Sequence, residues 1–155
     1  MKVWRICKQK YAKTAFEGEG ALRAGGRWNS PGQAVVYTSE NLSLAAMELL
    51  AHILSVELVP PELVAIPATI PEQFFDEPLN IEDLPDGWND PAGSATLRSM
   101  GDQWLADGAS LVLSVPSVVI PEERNILINP EHPEFHQVDV GQPRPFELDS
   151  RFFGV

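Results

Sequence analysis

A single cysteine, Cys7, is all that this chain of 155 residues offers for disulfide chemistry. One cysteine excludes a framework of disulfides within the chain and is typical of a protein that folds in a reducing compartment. Cys7 ends the apolar segment 3–7, where a cysteine usually packs as a small hydrophobic side chain. We therefore predict a structural role for Cys7 rather than a nucleophilic one.

Long hydrophobic runs are also missing. No stretch reaches the roughly 20 apolar residues that a membrane-spanning helix needs, and the first residues lack the charged and then apolar pattern of a secretion signal. These two features predict a cytoplasmic protein. The length fits one compact domain with a core of its own, so we expect residues 1–155 to form a single domain.

Basic residues are scarce, 11 against 22 acidic ones, and the net charge is −11. Because nucleic-acid-binding proteins usually carry basic surfaces, this balance argues against direct contact with nucleic acid. An acidic surface suits a basic protein partner instead. Residues 1–27 are the exception: seven Lys and Arg residues stand against two glutamates, and the local net charge is +5. Such a segment can form a local site for an anion.

The pattern of apolar residues and turn formers predicts an α+β fold. The 14 prolines divide the chain into short elements. Strands are expected at 3–7, 34–38, 63–70 with an interruption at Pro67, 111–115 and 125–129. Helices are expected from Leu44 to Leu54 or Leu58, capped by Asn41 or Ser43, and from Ser94 to Ala106. A long surface loop is expected at 76–93, and the apolar tail 143–155 is expected to dock.

Glu48 stands out because it lies within the apolar run 44–54. A helix made from this run has almost no polar face, so the carboxylate is expected to be buried. A buried carboxylate needs hydrogen-bond donors, a proton of its own, or a cavity that it can face. The alternative is a purely structural pair with His52, four residues further on. A metal site is not expected, because Glu-x-x-x-His supplies only two ligands.

A glycine-rich turn precedes an arginine in the segment Gly25-Gly26-Arg27-Trp28-Asn29. Glycine permits close approach of the backbone to a ligand, and a guanidinium binds a phosphate or carboxylate through two parallel hydrogen bonds. The segment lacks the lysine and Ser/Thr of a P-loop and the glycine spacing of a Rossmann motif. By itself it is a weak indication of an anion site, since Gly-Gly turns are common and arginines are usually solvated.

Two further positions could contribute to a site. Tyr37 lies at the end of an apolar strand, and it is either a core residue or a ring that stacks on a ligand in a cleft shared with Glu48. Ser114 and Ser117 lie in another apolar segment, and neither has the glycine neighbours of a hydrolase nucleophile. A hydrogen-bonding role or the termination of a strand is expected for Ser117.

Taken in order, these segments resemble the RES family, the toxin component of Xre/RES toxin–antitoxin pairs. The resemblance spans nearly the whole chain and rests on the order and spacing of short segments. These are Trp4-Arg5-Ile6, Gly26-Arg27-Trp28-Asn29, Pro31-Gly32, Val35-Val36-Tyr37, Met47-Glu48 with His52, Val115-Pro116-Ser117, Asn125 to Pro133, and Asp149-Ser150-Arg151-Phe152. The resemblance implies an ADP-ribosyltransferase-like fold, with a small mixed or antiparallel β-sheet core and surrounding helices around an NAD cleft.

The resemblance also implies roles for individual residues. The matching positions are Glu48 and Arg27 as catalytic residues, and Arg5, Arg27, Tyr37 and Ser117 as NAD-binding residues. Ser117 matches the family's serine better than Ser114 does. The implied enzyme consumes NAD as a substrate and uses neither a prosthetic group nor a metal.

Three hypotheses about activity follow from the residues and the resemblance. The first is a toxin that cleaves the nicotinamide N-glycosidic bond of NAD, as a glycohydrolase or phosphorylase, so that NAD depletion stops growth. The second is a mono-ADP-ribosyltransferase that modifies a cellular protein. The third is a non-catalytic module whose acidic surface docks a basic partner. The resemblance implies an Xre-type DNA-binding antitoxin as partner and is compatible with an oligomeric toxin–antitoxin complex.

Overall fold

The computed structural model of the chain describes residues 1–53 and 58–154. Seven strands form one sheet: β1 (Lys2–Lys8), β2 (Val36–Ser39), β3 (Leu63–Thr69), β4 (Val112–Pro116), β5 (Arg124–Ile128), β6 (Asp139–Val140) and β7 (Arg144–Pro145). Three α-helices accompany it within these residues: α1 (Glu19–Ala24), α2 (Leu42–Ala51) and α3 (Ala95–Asp107). Short 3-10 turns fill several of the connections.

The sheet is antiparallel throughout, with the strand order β4-β5-β2-β1-β3-β6 and with β7 also paired to β3. Strand β1 from the start of the chain and strands β6 and β7 from near its end therefore all pair with β3, which lies near the middle of the sequence. This arrangement confirms the α+β class with a small antiparallel sheet as its core. None of the helices in the described residues is long and apolar enough to cross a membrane.

Both faces of the sheet are covered, and β5 shows why its sequence is apolar without interruption. Ile126 and Ile128 belong to one hydrophobic cluster, whereas Leu127 between them belongs to a second one, as expected for side chains that alternate between faces. The second cluster also contains Trp28 and Leu97, so the turn after α1 and helix α3 cover this face.

The sheet opens between β1 and β2. These strands pair at a single register position, Trp4 with Ser39, whereas β1 and β3 pair along the whole length of β1. Because backbone pairing holds neighbouring strands together, the two halves of the sheet part beside this single contact. Residues from both strands line the resulting cleft.

Most strand and helix predictions agree with the structure to within one or two residues, and two differ. Pro67 does not interrupt β3, because its carbonyl accepts the Gly141 N–H at 2.8 Å and β3 pairs with β1 along its full length. Asn41 caps α2, with its side-chain oxygen accepting the Leu44 N–H at 2.7 Å. The helix then ends at Ala51, earlier than expected, and residues 54–57 lie outside the described part of the chain.

The expectation that α2 lacks a solvated face is wrong. Ser43, Met47 and Ala51 are exposed and lie at a spacing of four residues, which places them along one side of the helix. Leu44 and Ala45 are buried on another side. Glu48 is half-buried rather than fully buried, because it lies at the wall of the cleft and not within the core.

The C-terminal tail docks through its backbone more than through its rings. β7 pairs with β3, and the Phe146 N–H donates to the Leu63 carbonyl at 2.9 Å. Phe152 leaves 61% of its surface exposed, so the apolar pattern of the tail overstates its burial. Cys7 lies opposite Val64 in the β1–β3 pairing and packs against the hydrophobic cluster that contains Ile126 and Ile128. Burial raises the pKa of its thiol, which disfavours the reactive thiolate.

Candidate active site

The cleft beside β1 and β2 has a volume of about 1130 Å³. Its walls come from α1 and the turn that follows it, from α2, from residues 91–93 ahead of α3, and from the end of β4. Ligand sites for small molecules usually measure about 300 to 1,000 Å³, so this cleft can hold an extended ligand with more than one ring system.

The charged side chains that line the cleft differ in sign from the chain as a whole. They are Arg5, Arg27 and Arg98 against Glu48 alone, on a chain with a net charge of −11. Among the described residues, no carboxylate lies within 4.0 Å of any of these three guanidinium groups. Unpaired positive charge inside a cleft raises the local concentration of anions, so the cleft favours an anionic ligand.

The Glu48 carboxylate accepts two hydrogen bonds on the same oxygen. Ser117 Oγ donates to Glu48 Oε1 at 2.8 Å, and Asn125 Nδ2 donates to it at 2.5 Å. No donor in residues 1–53 and 58–154 reaches Oε2. One oxygen of Glu48 is therefore fixed by the protein, and the other is available to a ligand in the cleft.

Ser117 is fully buried at the turn after β4, and its hydroxyl group has only one way to point. The hydroxyl oxygen accepts the N–H groups of Val119 and Ile120, each at 3.0 Å. Because these bonds occupy both lone pairs, the single hydroxyl hydrogen is directed at Glu48. The local turn thus determines the direction of a hydrogen bond to a distant helix.

Asn125 is the second residue of β5, and its neighbour on β2 fixes the orientation of its amide. Ser39 is directly opposite it in the register and donates to Asn125 Oδ1 at 2.8 Å. The Nδ2 group must then face Glu48. Sequence reasoning assigned no role to Ser39 or Asn125, although asparagine is depleted in strands and its presence next to an apolar strand was a usable signal.

Tyr37 bridges the sheet and the glycine-rich turn. Its hydroxyl group donates to Asn29 Oδ1 at 2.7 Å and accepts the Trp28 N–H at 3.1 Å, and burial raises the pKa of Tyr37 to about 12. A Cβ on Gly26 would lie 2.6 Å from this hydroxyl oxygen, so only glycine permits the contact. Because the hydroxyl is occupied, the ring is the part of Tyr37 that can contact a ligand.

Asn29 holds the same turn together and was not singled out by sequence reasoning. It is fully buried, and its Nδ2 group donates to the carbonyl oxygens of Ala21 at 3.0 Å, Ser30 at 3.1 Å and Gln33 at 2.9 Å. The Gly26 N–H in turn donates to the Asn29 carbonyl at 2.9 Å. The turn is held in place because this one buried amide joins Ala21 of α1 to Ser30 and Gln33, which follow the turn.

Arg27 fastens the long loop 76–93 to the turn. Its Nη1 group donates to the carbonyl oxygens of Trp88 at 3.1 Å and Asp90 at 2.9 Å. The Nε and Nη2 groups donate to no acceptor in the described part of the chain. Arg27 is thus held in place by one nitrogen and keeps two for a ligand.

Arg5 reaches across the opening of the sheet. Its Nη1 group donates to the Tyr37 carbonyl at 2.8 Å, while its buried Nε group has no acceptor among the described residues. Burial lowers the pKa of Arg5. A buried N–H without a partner costs about 1–3 kcal/mol, so an anionic ligand oxygen at this position would be stabilised.

Two alternatives considered from the sequence are not what the structure shows. His52 does not pair with the Glu48 carboxylate, because its Nδ1 atom lies 2.8 Å from the Glu48 backbone oxygen and its ring is exposed. Ser114 accepts a hydrogen bond from Arg124 Nε at 2.8 Å, and Ser117 is the serine that contacts Glu48.

Within residues 1–53 and 58–154, no three His, Cys, Asp or Glu side chains are grouped to bind a metal ion.

Comparisons with known proteins agree over nearly the whole chain. A family model described as RES domain matches residues 2–149. The chain is 35% identical over 152 residues to Toxin Res of Photorhabdus laumondii, which covers 97% of this chain and 96% of that protein. It is also 35% identical over 153 residues to the Prs ADP-ribosylating toxin of Sphingobium sp., with coverage of 96% and 94%.

A solved structure with a similar fold is the crystal structure of the M. tuberculosis MbcT–MbcA toxin–antitoxin complex. The TM-score is 0.65, and the superposition covers 99% of this chain and 86% of the other. At 15% identity this likeness concerns the fold alone. It agrees with the α+β class that the strands and helices of this chain show.

Proposed function

Because the chain belongs to the RES domain family, we propose that it is the toxin of a toxin–antitoxin pair and that it cleaves the nicotinamide N-glycosidic bond of NAD. One observation carries the proposal. The Glu48 carboxylate is fixed on one oxygen by Ser117 and Asn125, and it lines a cleft whose other charges are unpaired arginines. A carboxylate beside an anion-binding wall suits a ligand with a phosphate at one end and a developing positive charge at the other.

NAD has these two properties. Its pyrophosphate is anionic, and cleavage of the bond between ribose and nicotinamide builds oxocarbenium character at the anomeric carbon. The free oxygen of Glu48 would accept hydrogen bonds from ribose hydroxyls and stabilise this charge. The interaction is stronger in the transition state than in the ground state, and for that reason it accelerates the reaction.

Other residues of the cleft bind and orient the substrate in this proposal. Arg27 and Arg5 offer free N–H groups to phosphate or neighbouring polar oxygens. The Tyr37 ring supplies a flat surface for the nicotinamide end, since its hydroxyl group is occupied within the protein. Ser117 and Asn125 hold Glu48 in one orientation and therefore position the carboxylate. Asn125 also lines the cleft, whereas Ser117 is fully buried behind Glu48.

The acceptor of the ADP-ribosyl group separates the two candidate activities. Water or phosphate as acceptor gives net consumption of NAD, which we favour. A protein side chain as acceptor gives an ADP-ribosyltransferase, and the name of the Sphingobium relative, Prs ADP-ribosylating toxin, favours this second candidate. The roles proposed for the cleft residues are the same for both activities.

The proposed partner is an Xre-type DNA-binding antitoxin that covers the cleft. Relatives over nearly the full length are named toxins, and the chain of similar fold comes from a toxin–antitoxin complex. The net charge of −11 suits a partner with a basic surface and leaves contact with DNA to that partner.

The purified chain tests the proposal directly. Nicotinamide release from NAD is measured for the wild type, for Glu48→Gln, and for Glu147→Gln as an exposed control with the same change of charge. If the carboxylate contributes about 3–4 kcal/mol, Glu48→Gln lowers turnover by about two to three powers of ten. Glu147→Gln is expected to match the wild type.

The same reactions also distinguish the alternatives. NAD labelled in its adenylate phosphate and incubated with cell extract reports transfer to protein, which would identify the transferase. Equal turnover of wild type and Glu48→Gln, with both folded, would remove Glu48 from the mechanism. A wild type that releases no nicotinamide and is not stabilised against heating by NAD would favour the non-catalytic binding module.

A further inference from the structure

Arg98 is the third arginine of the cleft, and neither the sequence motifs nor the proposed reaction uses it. It lies in α3, is half-buried, and lines the cleft. Its side chain makes no hydrogen bond and no ion pair with any residue in the described part of the chain. On a chain with 22 acidic residues, a half-buried guanidinium without a carboxylate partner is free for a ligand.

Helix α3 is held rigidly against the glycine-rich turn. A Cβ on Gly101 would lie 1.7 Å from the Trp28 carbonyl oxygen, so the two backbones touch. One residue further along, Asp102 Oδ1 accepts the Ser30 N–H at 2.9 Å. Arg98 precedes these residues by three and four positions, which places it on the same face of the helix. The face that docks on the turn therefore also directs Arg98 toward the neighbourhood of Arg27.

The segment 91–93 lies between these two arginines and lines the cleft. Arg27 fixes the preceding part of the loop through the carbonyl oxygens of Trp88 and Asp90. At its other end, Gly93 has a φ of +84°, and a Cβ there would lie 3.3 Å from Arg98 Nη1. The absence of a side chain at Gly93 keeps the space beside the Arg98 guanidinium open.

This part of the cleft is built from other elements than those that hold Glu48. The Glu48 carboxylate is fixed by Ser117 and Asn125, from the end of β4 and the start of β5. Arg98 is fixed through α3 and the turn at 28–30. Since the cleft measures about 1130 Å³, one ligand can occupy both regions.

We propose that Arg98 and residues 91–93 form a phosphate subsite that binds the adenosine half of the dinucleotide. The inference rests on the proposed function, because it assigns the non-reacting half of the same substrate. A guanidinium pairs with phosphate oxygens through two parallel hydrogen bonds, and the small residues of the segment let the phosphate approach. Binding energy from this remote half orients the ribose at Glu48.

Calorimetric titration with ADP tests the subsite without any turnover. ADP carries the adenosine phosphates but no nicotinamide bond, and adenosine is the matched ligand without phosphate. We expect Arg98→Gln to weaken ADP binding by about ten-fold or more, as for the loss of a charged hydrogen bond. Adenosine binding should not change, and Arg98→Lys should recover part of the ADP affinity. Arg151→Gln, exposed and outside the cleft, is the control for net charge.

Several outcomes would overturn the subsite. They are a wild type that does not bind ADP, equal ADP affinities of wild type and Arg98→Gln, or an equal loss in Arg151→Gln. Inorganic phosphate is titrated separately, and a loss confined to free phosphate would assign Arg98 to that ion instead of the dinucleotide. If ADP binding depends on Arg98 while the wild type releases no nicotinamide from NAD, the reaction proposed above fails and the subsite stands.

Discussion

Ser117 donates its hydroxyl hydrogen to Glu48 over 2.8 Å, although 69 residues separate the two in the chain. The bond joins the end of β4 to α2, and two backbone N–H groups leave the hydroxyl no other direction. Its consequence is a carboxylate with one oxygen held by the protein and the other available in the cleft.

Ser117→Ala should lower both activity and stability. It removes a hydrogen bond to Glu48 and leaves the N–H groups of Val119 and Ile120 without their acceptor, at about 1–3 kcal/mol for each group that stays unsatisfied. We expect nicotinamide release to fall by about ten-fold or more, and we expect a lower urea midpoint. Ser114→Ala is the paired control because Ser114 contacts Arg124 and not Glu48. Equal turnover in the two variants would contradict a positioning role for Ser117.

Asn125→Asp should reduce activity more than Asn125→Ala does. The aspartate keeps the shape of the side chain but replaces the donor to Glu48 Oε1 with a second negative charge at hydrogen-bond distance. The alanine variant only removes the donor. Steady-state kinetics with NAD measures the difference, and Asn80→Asp on the exposed loop controls for net charge. Asn125→Asp with the turnover of the wild type would show that Glu48 does not depend on this bond.

Substitution by alanine should change the stability of the protein differently at two helical glycines. At Gly101 a Cβ would lie 1.7 Å from the Trp28 carbonyl oxygen, so α3 must move away from the turn. At Gly20 in α1, nothing lies within 4 Å of an added Cβ, and alanine is the better helix former by up to about 1 kcal/mol.

Urea unfolding should therefore show Gly101→Ala destabilised by about 1–3 kcal/mol or more and Gly20→Ala neutral or stabilised. Since α3 also carries Arg98, the Gly101 variant should bind ADP more weakly even where it remains folded. A Gly101→Ala protein as stable as the wild type would contradict the close packing of α3 on Trp28.

Alkaline titration should reveal the buried phenol of Tyr37. Burial raises its pKa to about 12 in the folded protein, against about 10 in an unfolded chain. As the pH rises above 10, the unfolded chain loses the proton first, so the stability contributed by Tyr37 is complete below pH 10 and is lost between about 10 and 12.

In a Tyr11→Phe background, Tyr37 is the only tyrosine of the chain, and tyrosinate absorbance reports its ionisation alone. We expect a midpoint near 12 in the folded protein. The free energy of unfolding should fall more steeply with pH in this range than it does in a Tyr37→Phe variant. A midpoint near 10 under folding conditions would contradict the buried position of this hydroxyl.

Local elements of the fold could be predicted because their signals are local. Asn41 caps α2, and β1 follows its apolar segment to within one residue at each end. Pro67 misled the prediction, since a proline is tolerated in a strand where its carbonyl is used and its missing N–H is not required. The end of α2 and the exposure of Phe152 also differed, because both depend on what packs against those residues.

The sequence predicted which residues belong to the candidate site better than it predicted their hydrogen-bond partners. Glu48 could be predicted as a site residue because it is a carboxylate within an apolar run, and the structure places it at the cleft with Arg27, Arg5 and Tyr37. The partners of each group were not evident. His52 was the nearest candidate partner in sequence, yet it contacts only the backbone oxygen of Glu48.

The sequence by itself determined the charge balance, the local strand and helix segments, and the order of motifs that identifies the RES family. Tertiary structure alone decided which donors reach Glu48. Ser117 and Asn125 arrive from 69 and 77 residues away, and the pairing of Ser39 with Asn125 sets the direction of the amide. The physical reason is range: helix and strand patterns repeat over a few residues, whereas hydrogen bonds across a cleft depend on sheet register and on where the sheet opens.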